Sequence, residues 1–288
     1  MGGKNIMKLI DEQYDNMTNS YKIIANFIKD SYQYITYDTL SELSSKIDVS
    51  TTTVIRFARS LGFDGYSELQ DAIRRYSKDN DPYNMNYRLT SSYNPKETEL
   101  ELLNSTFNKD IENMVNTLNN LSYEDLKQTI ELIVKARSVY VVGYNDSFIL
   151  SSYMALRLGQ IRENVILINQ LGGMYPFEIS SANKSDILIA YLYPRYSTHT
   201  INIINILKEK GLKIIIITSN NIMPIKNLGN IIIPTFVTGL NVKDSIVAPI
   251  FLSNFIANSV AYSDYDKALE YLKNAEKILS KGYYLTSR

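Results

Sequence analysis

The sequence predicts two folded parts of different class: an all-α domain, followed by an α/β domain built on a five-stranded parallel sheet with helices on both faces. Three observations predict this. The chain has 288 residues, about twice the length of an ordinary domain. Before residue 80 the apolar residues recur at helical spacing, whereas from Ser138 onward short β-branched runs alternate with helical stretches. Between the two regimes lies SKDNDPYNMNYRLTSSYNPKE, polar and carrying Pro82 and Pro95, which reads as a linker. The expected divisions are therefore 1–77, a linker over 78–96, and 97–288.

In the first part Ile23, Ile24, Phe27 and Ile28 form one face of a helix, and Leu40, Leu43 and Ile47 form a second, shorter face. Asp48-Val49-Ser50 cannot extend either pattern. A third helix follows in TTTVIRFARSL, where Val54, Ala58 and Leu61 keep the apolar spacing, with Ser50 as the expected N-cap and Gly62 as the stop. A fourth helix is expected to open at Ser67, with Gln70 completing a capping box. A short helix, a three-residue turn and a second helix make a helix-turn-helix plan, in which the second helix enters the major groove of DNA by its N-terminus.

The residues expected to face outward there are Ser50, Thr51, Thr52, Thr53, Arg56 and Arg59, and no acid lies between Ser50 and Ser60. Hydroxyls and guanidinium groups are what phosphates and base edges require. The same pattern also suits the solvated face of a small helical bundle. Residues 1–77 hold nine Lys+Arg against ten Asp+Glu, so the positive charge is local: Arg56 and Arg59 on the third helix, Arg74 and Arg75 on the fourth.

After the linker, Leu100, Leu103, Phe107, Ile111, Met114 and Leu118 make a one-sided helical stripe, expected either to dock on the following domain or to meet a second chain. Strands are expected at 138–143, 164–169, 186–193, 213–219 and 230–235. Parallel sheets of this kind bind ligands beyond the carboxyl ends of their strands. The first strand runs into Gly143-Tyr144-Asn145-Asp146-Ser147, which lacks a dinucleotide GxGxxG fingerprint. The third ends in Pro194-Arg195-Tyr196-Ser197-Thr198-His199-Thr200. Two helix N-termini, hydroxyl groups and an arginine at neighbouring strand ends suit an anion. Ser147 and Ser197 also suit plain N-caps.

Composition narrows the chemistry. There is no cysteine and one histidine, which removes disulfides, thiolate metal sites and cysteine nucleophiles and argues against zinc catalysis; neither a metal nor a cofactor is expected. Net charge is zero, so any nucleic acid must be met by a local patch. The start MGGKNIMKLI is not a secretory signal, and no run approaches the roughly 20 apolar residues that span a bilayer, so no membrane partner and a cytoplasmic location are expected.

The run Val49-Ser50, Thr53-Val54, Arg56-Phe57, Arg59, Leu61-Gly62-Phe63, Gly65-Tyr66 and Glu68 resembles the DNA-binding domain of the RpiR/MurR family of bacterial transcription regulators. The second part is similar to the sugar isomerase (SIS) domain of those regulators, including Asp244-Ser245-Ile246-Val247-Ala248-Pro249 at the opening of a late helix. The resemblance covers roughly residues 7 to 280. It implies a homodimer or homotetramer that binds operator DNA and responds to a sugar phosphate or related metabolite. The implied effector residues are Gly143, Asn145, Ser147, Arg195, Ser197 and Thr200. Two departures stand out: Asn145 replaces the second glycine of the usual Gly-x-Gly-x-Ser loop, and the usual Ser-x-Ser-Gly-x-Thr loop is here the longer PRYSTHT, where only Ser197 and Thr200 match hydroxyl positions. Arg195 could supply charge in place of the missing serine. The alternative function is a SIS-type sugar phosphate isomerase with an appended helical domain. It would need a positioned base and acid, for which His199 and Glu178 are the candidates.

Overall fold

The computed structural model describes residues 5–36, 38–79, 88–90, 93–169, 175–220, 222, 225–240 and 243–281. The chain divides into two compact units, Met1–Tyr93 and Asn94–Arg288. Most of the expected linker segment lies outside the described residues.

The first unit contains α1 (Ile6–Gln13), a 3-10 turn (Tyr14–Asn16), α2 (Asn19–Ile35), α3 (Leu40–Ile47), α4 (Thr51–Ser60) and α5 (Tyr66–Asp79). Their apolar faces close on one core of Ile6, Ile10, Ile24, Ile28, Leu43, Val54, Phe57, Ala58, Leu69 and Ile73, with Tyr21 edge-on to Phe57 at 5.5 Å. Ile23 departs from the expected face of α2 and is exposed; Ile24, Ala25, Ile28 and Ile35 are the buried residues.

Local chemistry fixes the ends of α3 and α4. Thr39 and Glu42 form a reciprocal capping box at the start of α3. The backbone hydrogen bond from Thr39 holds the Glu42 carboxyl below the ordinary carboxylate range. Asp48 closes α3 in the left-handed region at φ 52°. Gly62, at φ 83°, ends α4 with the amide of Phe63 donating to the carbonyl of Ala58, a turn that a glycine makes without strain. The fourth helix opens at Tyr66, and Gln70 does not close a capping box. It is buried and donates across the unit to the carbonyls of Ile35 (2.9 Å) and Asp38 (2.6 Å). Arg74 donates to the carbonyl of Thr36 at 2.8 Å, so α5 pins the turn that leads into α3.

The second unit is a five-stranded, all-parallel sheet in the order β2-β1-β3-β4-β5: β1 (Val139–Gly143), β2 (Val165–Ile168), β3 (Ile187–Tyr191), β4 (Lys213–Ser219) and β5 (Ile231–Thr235). On one face lie α7 (Tyr123–Lys135), α8 (Asp146–Gly159) and α11 (Val247–Ser263); on the other lie α9 (Tyr175–Glu178) and α10 (Thr198–Glu209). α12 (Tyr265–Leu279) follows α11. With helices on both sides, β1 and β3 are buried along their whole length, which explains their nearly continuous Val/Ile/Leu runs. At the amino edge Asp186 accepts two hydrogen bonds from Arg137, at 2.8 and 2.6 Å, and one from the amide of Ser138. Burial works to raise its pKa, but these bonds hold it below the ordinary value.

The long helix α6 (Glu99–Asn120) docks by its polar side. Asn113 donates to the carbonyl of Thr238, Thr117 accepts from the amide of Phe236, and Asp110 accepts from Ser245. The apolar stripe is left outside, with Leu103 and Phe107 each 64% exposed. Of the two expectations for this stripe, docking on the following domain is therefore not what occurs.

Candidate functional site

In the first unit the turn Asp48-Val49-Ser50 leads into α4, whose first turn carries no acidic residue. Ser50 is the N-cap: its hydroxyl accepts from the amide of Thr53 at 3.2 Å and shares a 2.8 Å bond with the Thr53 hydroxyl. Arg59 donates from Nε to the carbonyl of Asp64 at 3.2 Å, holding the turn after the helix. Among the described residues Thr51, Thr52 and Arg56 have no partner, and all three are exposed. The six residues singled out from the sequence thus fall into three that brace the helix and three that are open to a ligand. Arg74 is likewise engaged, with Asp71 and Gln70.

In the second unit the carboxyl ends of β1 and β3 bring two loops together. Gly143 ends β1, and a Cβ there would lie 2.2 Å from the Ser147 carbonyl, so only glycine lets the first turn of α8 fold back this closely. Tyr144 to Ser147 form a tight turn, closed by the Ser147 amide on the Tyr144 carbonyl. Asn145 occupies its second position at φ 54°, ψ −126°, values of a type II′ turn that glycine normally takes. Asn145, and not Ser147, caps the helix, and it does so without a side-chain hydrogen bond. This backbone conformation costs about 1–2 kcal/mol for a non-glycine residue. Asn145→Gly is accordingly expected to raise the melting temperature by about 2–4 °C, read by differential scanning fluorimetry; a lowered temperature would mean that the asparagine side chain holds the turn.

The two helix N-termini at these loops differ. α8 carries Asp146 in its first turn, paired to Lys243 at 2.6 Å, so a carboxylate already faces that dipole. α10 has no acid in its first turn; Ser197 caps it by accepting from the Thr200 amide at 3.4 Å, and Arg195 is exposed beside it. An anion is therefore best received at α10. Thr200 is fully buried in that first turn. His199, expected at the surface, is exposed but has its ring against Tyr144, centroids 5.5 Å apart, so an aromatic pair joins the two loops.

Beneath the loops runs a chain of buried hydroxyls. Tyr193 pairs with Thr235 at 2.6 Å, Thr235 donates to the Thr218 carbonyl, Thr218 donates to the Leu192 carbonyl, and Tyr191 pairs with Ser253. Burial pushes the phenols of Tyr191 and Tyr193 well above their ordinary pKa, so both stay neutral. Tyr144 and Ser219, the last residue of β4, also stand at these strand ends and are not among the residues expected from the sequence. Among the described residues no three His, Asp or Glu side chains are grouped to hold a metal. No helix there is long and apolar enough to cross a membrane.

Comparison with known proteins decides the family. Residues 4–79 match the family model described as the helix-turn-helix domain of the rpiR family. The chain belongs to the RpiR family. Residues 132–258 match the SIS domain, the second module expected beside an RpiR-type head. An uncharacterized HTH-type transcriptional regulator of Haemophilus influenzae is 26% identical over 223 residues, 77% of this chain and 76% of its own length. Among solved structures, the sugar isomerase domain of an RpiR transcription factor from Sphaerobacter thermophilus aligns with a TM-score of 0.59 at 21% identity, over 62% of this chain and 99% of that one. The NanR protein of Vibrio vulnificus complexed with ManNAc-6P aligns over 96% of this chain and 98% of that one, at 0.63 and 16% identity. At these identities the two structures establish the fold of this RpiR-family chain and nothing finer.

Proposed function

We propose that this RpiR-family protein is a DNA-binding transcription regulator whose operator affinity is set by a small metabolite, a phosphosugar or related sugar derivative, bound at the carboxyl ends of β1 and β3. Residues 1–77 serve as the reading head, 78–96 as linker and 97–288 as the sensing and assembling body. The observation that carries the reading is the pairing, on one chain, of an α4 whose Thr51, Thr52 and Arg56 are unengaged with an α10 N-terminus that is free of acid and flanked by Arg195 and Ser197. A phosphosugar bound to NanR, a protein of the same overall fold, supports it. Gly143, Asn145 and Ser147 shape the first wall of the pocket, and Arg195, Ser197 and Thr200 the second. Such a regulator works in the cytoplasm, where its DNA is.

The protein acts as a homo-oligomer. The exposed positions 100, 103, 107, 111 and 118, with the half-buried Met114 between the last two, are spaced by three and four residues, the seam of a helix that packs on another helix. A second copy supplies that helix by two-fold symmetry and places two heads on half-sites about 34–36 Å apart or a multiple of that. The isomerase alternative has less support: His199, its candidate base, is an exposed side chain whose ring lies against Tyr144.

Arg56 is the sharpest probe of the head. Arg56→Ala is expected to weaken operator binding by about 1–3 kcal/mol and to leave the melting temperature unchanged, since the side chain is exposed and without a partner. Equal binding of operator by the variant in a fluorescence anisotropy titration would refute the placement of α4 in the groove.

A further inference from the structure

Two hydroxyls break the satisfied chain at the carboxyl edge of the sheet. Ser219 and Thr200 are each more than nine-tenths buried, and neither hydroxyl has a hydrogen-bond partner. A buried hydroxyl left in this state destabilises the fold relative to alanine, whereas Thr218, Thr235, Tyr191 and Tyr193 around it are all paired. Ser219 pairs in register with Thr235 of β5. Since Ile217 pairs with Tyr191, Ser219 stands level with Tyr193, the point from which the 194–200 turn leaves β3. It therefore lies beside the start of the turn that carries Arg195, Ser197 and Thr200, and strand alternation puts its side chain on the sheet face shared by Tyr191, Ile215 and Ile217.

The electrostatic setting of Ser219 differs from that of Ser197. Ser197 caps the N-terminus of α10, where the helix dipole and exposed amides favour a negative group. Among the described residues no α-helix starts at the end of β4, and residues 214–225 contain no charged side chain. A neutral oxygen fits there, and a phosphate does not.

From this we infer that Ser219 ligates the effector by a neutral hydroxyl of its sugar part, while the anionic group lies at Ser197 and the α10 N-terminus. The inference rests on the strand-end pocket proposed above and extends it to a residue at the end of β4. Because the Ser219 hydroxyl is closed to water in this structure, the effector reaches it as the 194–200 turn lifts, which also parts His199 from Tyr144.

The full-length protein tests this with Ser219→Ala and Ser197→Ala, using inorganic phosphate, glucose 6-phosphate and ManNAc-6P as probes in calorimetry and scanning fluorimetry. Ser219→Ala is expected to melt at or slightly above the temperature of the unmodified protein. It should bind the phosphosugar that stabilises the unmodified protein most roughly five- to tenfold more weakly, with phosphate binding unaffected, whereas Ser197→Ala weakens both. A melting temperature several degrees lower for Ser219→Ala would show that the hydroxyl holds the fold, and phosphosugar binding equal to that of the unmodified protein would show that it touches no ligand; either overturns the inference and leaves the pocket standing. If neither phosphosugar binds the unmodified protein, the pocket reading falls, and this inference with it.

Discussion

Replacing Leu103 and Phe107 together by glutamate is expected to turn the protein into a 32.9 kDa monomer and to lower operator affinity about a hundredfold or more. Both side chains are 64% exposed on α6, whose own docking contacts run through Asn113 and Thr117 on the other side. The substitutions therefore remove little packing within the chain, and the melting temperature at concentrations where the unmodified protein is monomeric should be nearly unaltered. What is lost is the second head. Two heads joined in one particle raise the local concentration of the second at its half-site, an effect on the order of 10²- to 10⁴-fold. Sedimentation velocity reads the assembly and anisotropy reads the DNA. A variant that stays oligomeric would move the interface to other exposed apolar residues, such as Phe251 and Phe255 on α11.

The second large effect concerns the sensor. Arg195→Ala with Ser197→Ala removes a charge and a hydroxyl beside the α10 N-terminus, neither of them in the hydrophobic core. The double variant is expected to fold and to bind operator with near-normal affinity when no effector is present. The effector response, typically about 1–3 kcal/mol of coupling between two such sites, should be largely gone. A full response from the double variant would put the ligand elsewhere. Loss of operator binding without unfolding would mean that these residues serve the assembly of the protein.

How much of this could be read from the residues alone depended on whether the cause was local. α4 was legible because Val54, Ala58 and Leu61 set its buried face, Ser50 its start and Gly62 its end, all within a dozen residues. The five strands were legible because a parallel sheet covered on both faces needs uninterrupted β-branched runs. Gln70 was misread, since Ser67 three residues earlier completes a capping pattern, and nothing local reveals that its amide reaches carbonyls more than thirty residues away. Arg74 looked like surface charge for the same reason. On α6 the stripe was visible, but the sequence could not say that Asn113 and Thr117 would be the docking side. In the pocket, Asn145 was noticed as a missing glycine, whereas its retention of the glycine-like backbone required φ and ψ. Ser219 was hidden by its place in an apolar strand, because an unpaired hydroxyl is a property of its neighbours.

The central claim is that one chain couples DNA binding to a metabolite. The most direct measurement is an anisotropy titration of the unmodified protein on a labelled duplex from upstream of its own gene, at fixed salt, with and without each of a panel of phosphosugars. The account predicts binding well above that to a scrambled duplex and a shift of roughly 5- to 150-fold with the cognate phosphosugar. Binding no stronger than to the scrambled duplex, or an affinity that no member of the panel changes, would contradict it.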